Sequence, residues 1–239
     1  MVAGATPVSG DRELILGRIR EALADVPAAE ALAFDPAAAA PDAGYARTGG
    51  LDPAARLALF ARRCADYRAN VSVCADDPAA IAARVGEACA RHEARRLVVP
   101  AGLDRDWLPT TIEAAVDDPP LAWPELADCD GVITGCELGI AVTGTVALAS
   151  GPRQGRRAIT LLPDLHICVV RGEQIVETVP EAIDRLARPL GERRAITLIS
   201  GPSATSDIEL RRVEGVHGPR RLELIVADRD SLANPELLD

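Results

Sequence analysis

Three observations predict an α/β fold. Residues 70–100 read as strand, helix, strand: Asn70-Val-Ser-Val-Cys74 alternates, Ile81, Val85 and Ala88 share a helical face, and Arg96-Leu-Val-Val-Pro100 is a short apolar run. Such a unit is the usual builder of a parallel sheet. The C-terminal half repeats the alternation, with a helix over 180–190 followed by strands at Ala195-Ile-Thr-Leu-Ile199 and Leu222-Glu-Leu-Ile-Val-Ala227. Finally, 48% of the 239 residues are hydrophobic, ample for a full core, and with only 3% aromatic that core is built from Ala, Val, Leu and Ile.

In chain order, residues 11–24 read as a helix with Ile15, Ile19 and Leu23 on one face. From 26 to 50 Ala, Pro and Gly dominate without periodicity, ending in Gly49-Gly50. Residues 1–50 are therefore expected to be an N-terminal helix and linker ahead of one α/β domain at 51–239. Asp52-Pro53 opens a second helix, with Leu57, Phe60, Ala61 and Cys64 as its apolar stripe. Asp76 and Asp77 are placed to cap the helix that carries Ile81. Residues 110–115 read as helical. Gly131-Val-Ile-Thr-Gly135 and residues 138–141, 144–149, 158–162 and 166–171 read as short strands, pairing antiparallel or meandering on the same sheet, with Pro163-Asp164 as a turn.

Composition closes several routes. All 26 basic residues are Arg, which excludes a Schiff-base lysine, a Walker-type phosphate lysine and a lysine general base. With 36 acidic residues the formal net charge is −10, the wrong sign for a phosphate-backbone binder, although a local Arg cluster can still hold a small anion. No apolar run approaches the ~18–20 residues that span a bilayer, and Met1-Val-Ala-Gly lacks a basic segment followed by an apolar one, so a cytoplasmic protein is expected. The cysteines at 64, 74, 89, 129, 136 and 168 show no CxxC spacing. Neither a metal site nor an iron–sulfur cluster held by this chain alone is expected, and reduced thiols in apolar surroundings are. No GxGxxG follows a strand.

Small, hydroxyl and turn-forming residues gather in three places. Ser200-Gly-Pro-Ser-Ala-Thr-Ser-Asp207 follows a strand, and ligands in open α/β sheets collect beyond strand carboxyl ends. Gly201, Ser203 and Thr205 there are candidate anion binders, with Asp207 a proton acceptor or the partner of a histidine; an ordinary capped turn is the alternative. Val213-Glu-Gly-Val-His217-Gly-Pro219 places a histidine in tight backbone geometry, and His217 is the candidate general base. Thr143-Gly144-Thr145 forms either an anion cradle or a hairpin turn. Glu137 and His166 are further candidates, the first as an acid/base group or a solvated residue, the second as a pocket wall or core residue. His92, in a charged run, reads as surface.

At Ile140-Ala-Val-Thr-Gly-Thr145, Leu161-Leu-Pro-Asp-Leu-His166, Ile199-Ser-Gly-Pro-Ser-Ala-Thr-Ser-Asp-Ile-Glu209 and Gly215-Val-His-Gly-Pro219 the chain resembles the lactate utilization protein C family of LUD-domain proteins. The Gly-Pro-Ser and Val-His-Gly-Pro blocks together are the specific ones. The opening helix resembles the family's start, so the likeness runs over nearly the whole chain. It implies a Rossmann-like mixed sheet similar to the sugar-phosphate isomerase and CoA-transferase fold. It also implies a role in converting L-lactate to pyruvate beside iron–sulfur partner subunits that carry the clusters. The family usually has an acidic residue just before Thr-Gly-Thr, where this chain has Val142.

Three functions follow as expectations. The first is a subunit of a lactate-oxidising system in which Gly201, Ser203, Thr205 and the 143–145 turn hold a small carboxylate and His217, oriented by Asp207, takes the hydroxyl proton. The second is a stand-alone enzyme on a small phosphorylated or CoA-linked acid. The third is a non-catalytic assembly or regulatory factor that docks through residues 1–50.

Overall fold

Local chemistry sets the helix starts. Asp52 caps the helix α2 (Pro53–Asp66), its carboxylate accepting from the Ala55 N–H at 2.8 Å, and Asp77 does the same for α3 (Pro78–Arg91) through the Ala80 N–H at 3.0 Å. Proline at the first turn of each needs no hydrogen-bond partner. Both helices are amphipathic: Leu57, Phe60 and Cys64 are buried on α2, and Ile81, Val85, Ala88 and Cys89 on α3.

The computed structural model describes residues 9–24, 47–205, 213–214 and 217–229. The chain divides into two units, Met1–Tyr45 and Ala46–Asp239. In the first, the described element is α1 (Ser9–Ala22), on which Leu14, Ile15, Ile19 and Leu23 are all exposed. Most of the expected linker lies outside the described residues.

The second unit is built on a six-stranded sheet. Its strands are β1 (Asn70–Ala75), β2 (Arg96–Val99), β3 (Glu113–Val116), β4 (Gly131–Gly135), β7 (Leu165–Arg171) and β12 (Arg221–Asp228), in the order β1-β12-β7-β4-β2-β3, every pair parallel. A fully parallel sheet needs cover on both faces. On one face α3 packs Ile81 and Val85 against Leu97, Ile167, Val169 and Ile225. On the other lie α2 and a second sheet of β5 (Leu138–Ile140), β6 (Thr145–Leu148), β8 (Ile175–Val176) and β9 (Thr197–Ile199), in the order β8-β5-β6-β9. In this sheet β5 runs parallel to β8 and antiparallel to β6, which is antiparallel to β9. Its outer face receives α5 (Val179–Gly191) through Ala182 and Leu186. The short helix α4 (Trp123–Ala127) and the antiparallel pair β10 (Ala204–Thr205) and β11 (Val213–Glu214) are the remaining α-helix and strands among the described residues.

The α/β class stands, with corrections. Residues 110–115 are not helical: β3 extends the sheet edge beside β2. Residues 158–162 are not a strand but sit largely in a 3-10 turn, Arg157–Thr160, that buries Ile159. The run of short strands does not share one sheet; β4 and β7 belong to the parallel sheet while β5 and β6 turn away into the second. His92 is not a surface residue. Its side chain is 14% exposed and shares a 2.6 Å contact with Glu223, a 3%-exposed carboxylate that also accepts from Asn70 and Arg91.

Phe60 fills the space between α2, the parallel sheet and the second sheet with no exposed surface. Its truncation in Phe60→Ala is expected to lower the unfolding free energy by about 3–5 kcal/mol in urea titration.

Candidate functional site

The polarity of the parallel sheet locates the cavity. His166 and Leu222 are partners in register near the amino ends of β7 and β12. There the edge strand β9 and the loop after it face them across the seam between the sheets, enclosing about 240 Å³. Arg157, His166, Ser200, Ser203 and His217 are among its polar lining residues. The 200–206 loop does follow a strand, but that strand belongs to the second sheet, so this cavity is not at the carboxyl end of the parallel one.

Two loops close over it through direct bonds. The Ser203 N–H donates to the Pro219 carbonyl at 2.8 Å, and the His217 N–H donates to Ser203 Oγ at 3.1 Å. Arg157, half-buried, donates through Nη2 to the His217 carbonyl at 3.1 Å and through Nη1 to the Thr160 carbonyl at 3.0 Å. A guanidinium so tethered is pre-organised for a carboxylate or phosphate. No carboxylate stands among the described residues that line the cavity, although the chain carries a net charge of −10. Local field, not net charge, decides what a cleft attracts.

The expected residues divide between this cavity and other places. Gly201, Ser203, His166 and His217 line it. The 143–145 turn reaches it indirectly: Thr143 Oγ1 and Thr145 Oγ1 are 2.8 Å apart, and Thr145 Oγ1 is 2.8 Å from Ser200 Oγ, which faces the cavity. Gly144, with φ +57°, packs so closely on α2 that a Cβ would stand 2.6 Å from the Arg63 carbonyl carbon. Gly201, with φ +81°, is likewise backed by the Tyr67 carbonyl oxygen, 2.5 Å from where a Cβ would be. The Thr-Gly-Thr turn is therefore a packed hairpin: its Gly144 N–H donates to the Ala141 carbonyl, and it meets the cavity wall through the Thr145 hydroxyl. Glu137 does not line the cavity; it accepts from Gln154 Nε2 at 3.2 Å and lies 4.0 Å from Arg194. Thr205 is paired with Val213 in the small hairpin. Asp207 lies outside the described residues, as does Ser206. Val142 is 40% exposed, its N–H bonded to the Glu177 carbonyl, and it does not line the cavity.

At the cavity floor His166, expected as a pocket wall or core residue, joins a polar layer whose other members sequence reading missed. His166 Nε2 and Thr134 Oγ1 share a 2.8 Å hydrogen bond, both side chains fully buried. Cys168, two residues on from His166 along β7 and opposite Thr134, meets Cys136 just past the end of β4. The Cys168 thiol is held below its ordinary value chiefly by its neighbour Cys136, with His166 and Thr134 adding to the effect against burial. The same sulfur neighbour, together with burial, pushes Cys136 up. Burial pushes Cys64 up to about 12, and Cys74 and Cys89 to about 11. All six cysteines are unpaired thiols and all are buried. The available signal was the i, i+2 repeat of polar side chains in two apolar strands, Thr134/Cys136 and His166/Cys168. Arg157 carried no such signal. Among the described residues no three His, Cys, Asp or Glu side chains converge as a metal-binding set, and no helix is long and apolar enough to cross a membrane.

Comparison with known proteins places this region in context. A model of the LUD domain matches residues 123–227, which hold the cavity and its floor. The chain is 50% identical to lactate utilization protein C of Deinococcus radiodurans, over 71% of this chain and 78% of that one. Its likeness to lactate utilization protein C of Bacillus subtilis, 37% identical, covers 41% of this chain and 42% of that protein. A crystal structure of a DUF162 family protein from Deinococcus radiodurans matches with a TM-score of 0.65 at 40% identity, covering 74% of this chain and 99% of that one.

Because Gly144 combines a left-handed backbone with direct contact to α2, Gly144→Ala is expected to destabilise by about 2 kcal/mol or more. Gly191→Ala, where a Cβ meets nothing within 4 Å, should change stability by less than about 0.5 kcal/mol. Paired urea titrations check both.

Proposed function

The chain belongs to the lactate utilization protein C family, and from that premise we propose that it serves a lactate-utilization system by holding a small 2-hydroxycarboxylate, L-lactate, in the cavity at the amino ends of β7 and β12. The observation that carries this reading is the lining: one tethered guanidinium, two histidines and several hydroxyls, with no carboxylate among its described residues.

Oxidation of a 2-hydroxy acid to the 2-oxo acid removes two electrons and two protons. In this reading Arg157 and Ser203 hold the carboxylate, the Ser200 hydroxyl, itself fixed by Thr145 Oγ1, orients the substrate, and the His217 imidazole at the mouth takes the hydroxyl proton. His166, fixed by Thr134, forms the wall behind the substrate. The electron acceptor belongs to iron–sulfur partner subunits, and the second proton leaves to solvent.

The test is lactate-dependent dye reduction in an extract lacking this protein. Added wild-type chain should restore it, Arg157→Gln should raise the lactate concentration needed by about tenfold or more, and His217→Ala should lower the maximal rate by about a hundredfold. Full rescue by His217→Ala would remove the proton role, and full rescue by both variants would remove the cavity from the reaction.

A second reading, an assembly factor, is favoured by the exposed Leu14, Ile15, Ile19 and Leu23 of α1. Under it, a chain lacking residues 1–50 keeps the thermal transition of the α/β unit but no longer copurifies with the iron–sulfur subunits. Undiminished copurification would sink it.

A further inference from the structure

The cavity just described leaves the opposite end of the parallel sheet unused, and that end is where a parallel α/β sheet ordinarily takes its ligands. Three adjacent strands finish there: β1 at Ala75, β12 at Asp228 and β7 at Arg171. Beyond them a second cavity of about 280 Å³ opens against the first turn of α2. Its charged lining is Arg56, Arg171, Arg229, Asp76, Asp228 and Glu173. It shares no lining residue with the first cavity.

We infer that this second cavity is a binding site for a small hydroxylated anion, distinct from the site at the amino ends. The charges are arranged, not scattered. Asp76, whose side chain is 11% exposed, faces Arg171 Nε at 3.3 Å with one oxygen and Arg229 Nε at 3.7 Å with the other. Arg171 is pinned a second time, its guanidinium lying 5.7 Å from the centroid of the buried Trp107 ring. Arg56 makes no ion pair among the described residues, and its Nε, like that of Arg171, is buried without a hydrogen-bond partner. Leaving a buried donor unpaired is costly, and a ligand oxygen would remove that cost.

The mixture of signs narrows the ligand class. Carboxylates in a lining repel an anion unless the ligand also brings donors for them to accept. Here Arg56 and Arg229 offer donors for an anionic group, while Asp76 offers oxygens that accept from hydroxyls. A compact molecule carrying an anionic head and neighbouring hydroxyls satisfies both. Leu57, Pro53 and Ala227 supply the apolar side of the wall. The anionic head is either a carboxylate or a phosphate, and matched probes separate the two.

The experiment is isothermal titration of the full chain with D-glycerate and with glycerol 3-phosphate, which differ chiefly in the anionic head. It is repeated on Arg56→Gln, Arg229→Gln and the first-cavity variant Arg157→Gln, each checked for an unchanged thermal transition. Expected is a saturable site for at least one probe that survives Arg157→Gln and is weakened about ten- to a hundredfold by Arg56→Gln. Arg229→Gln, whose side chain is 78% exposed, leaves the fold alone and should weaken the same site by a smaller factor. Which probe binds identifies the head group. No site surviving Arg157→Gln, or a site indifferent to both Arg56→Gln and Arg229→Gln, overturns the inference. Neither result bears on lactate-dependent dye reduction, which tests the first cavity alone.

Discussion

The burial of one helix between two sheets is the constraint on which the rest of the structure depends. Phe60 and Cys64 of α2 have no exposed surface and Leu57 almost none. The chain has only two Phe residues, and this one occupies the junction where the parallel sheet, the second sheet and α2 meet. At a packing density like that of an organic crystal, such a helix cannot shift without opening voids. Its two ends then set both cavities. Pro53, Arg56 and Leu57 wall the cavity at the strand carboxyl ends. At the other end the carbonyls of Arg63 and Tyr67 crowd Gly144 and Gly201, holding the hydroxyl-bearing turns against the cavity at the amino ends.

A parallel sheet has two chemically different ends, and the side chains on β7 follow that difference. At its start β7 carries His166, in a lining with no carboxylate among its described residues; at its end it carries Arg171, paired with Asp76. Between them the strand is continuously buried. Burying the polar groups of Thr134, His166, Cys136 and Cys168 side by side is tolerable because each has a partner: Thr134 and His166 bond each other, and the Cys168 thiol donates to the Gly135 carbonyl. Cys136 also reaches Gln174, whose amide donates to the Cys136 carbonyl at 2.8 Å. Thiols with this much burial are poor nucleophiles toward reagents in water, whatever their mutual effect on ionisation.

Much of the frame was legible in the sequence because it rests on local chemistry. Asp52-Pro53 and Asp77-Pro78 announce helix starts, and the alternation of Asn70 to Cys74 announces β1. What failed was non-local. Residues 110–115 lack a period long enough to separate helix from strand, and pairing with β2 decided the outcome. The 158–162 run is apolar because Ile159 is buried in a turn, a pattern that periodicity cannot separate from a strand. Nothing local tells β4 from β5 as members of different sheets, since the answer lies in β7 and β8 more than thirty residues away. His92 looked solvated among charges because its partner, Glu223, is 131 residues distant. The site divides the same way. The Gly-Pro-Ser and Val-His-Gly-Pro turns were visible as turns, and the structure brings Gly201, Ser203 and His217 together; Arg157, which ties the second loop down, lies on a segment whose sequence carries no motif.

Building a site at the seam of two sheets also has a consequence for its rigidity. Loops are ordinarily the mobile parts of a fold, yet binding demands donors held within fractions of an ångström. Here each loop is attached to something stiffer than itself. The 200–203 loop is held by Tyr67 of the helix end and by the Pro219 carbonyl; the 217–219 turn is held by Ser203 and Arg157; and Arg157 sits on a turn anchored by buried Ile159. The histidine at the floor belongs to the central strand of the parallel sheet, between β4 and β12. His166 is thus placed by the core itself, while His217 is placed by loop-to-loop bonds. The cavity therefore combines a fixed wall with a more adjustable mouth, the arrangement that the proposed grip on a small hydroxy acid would require.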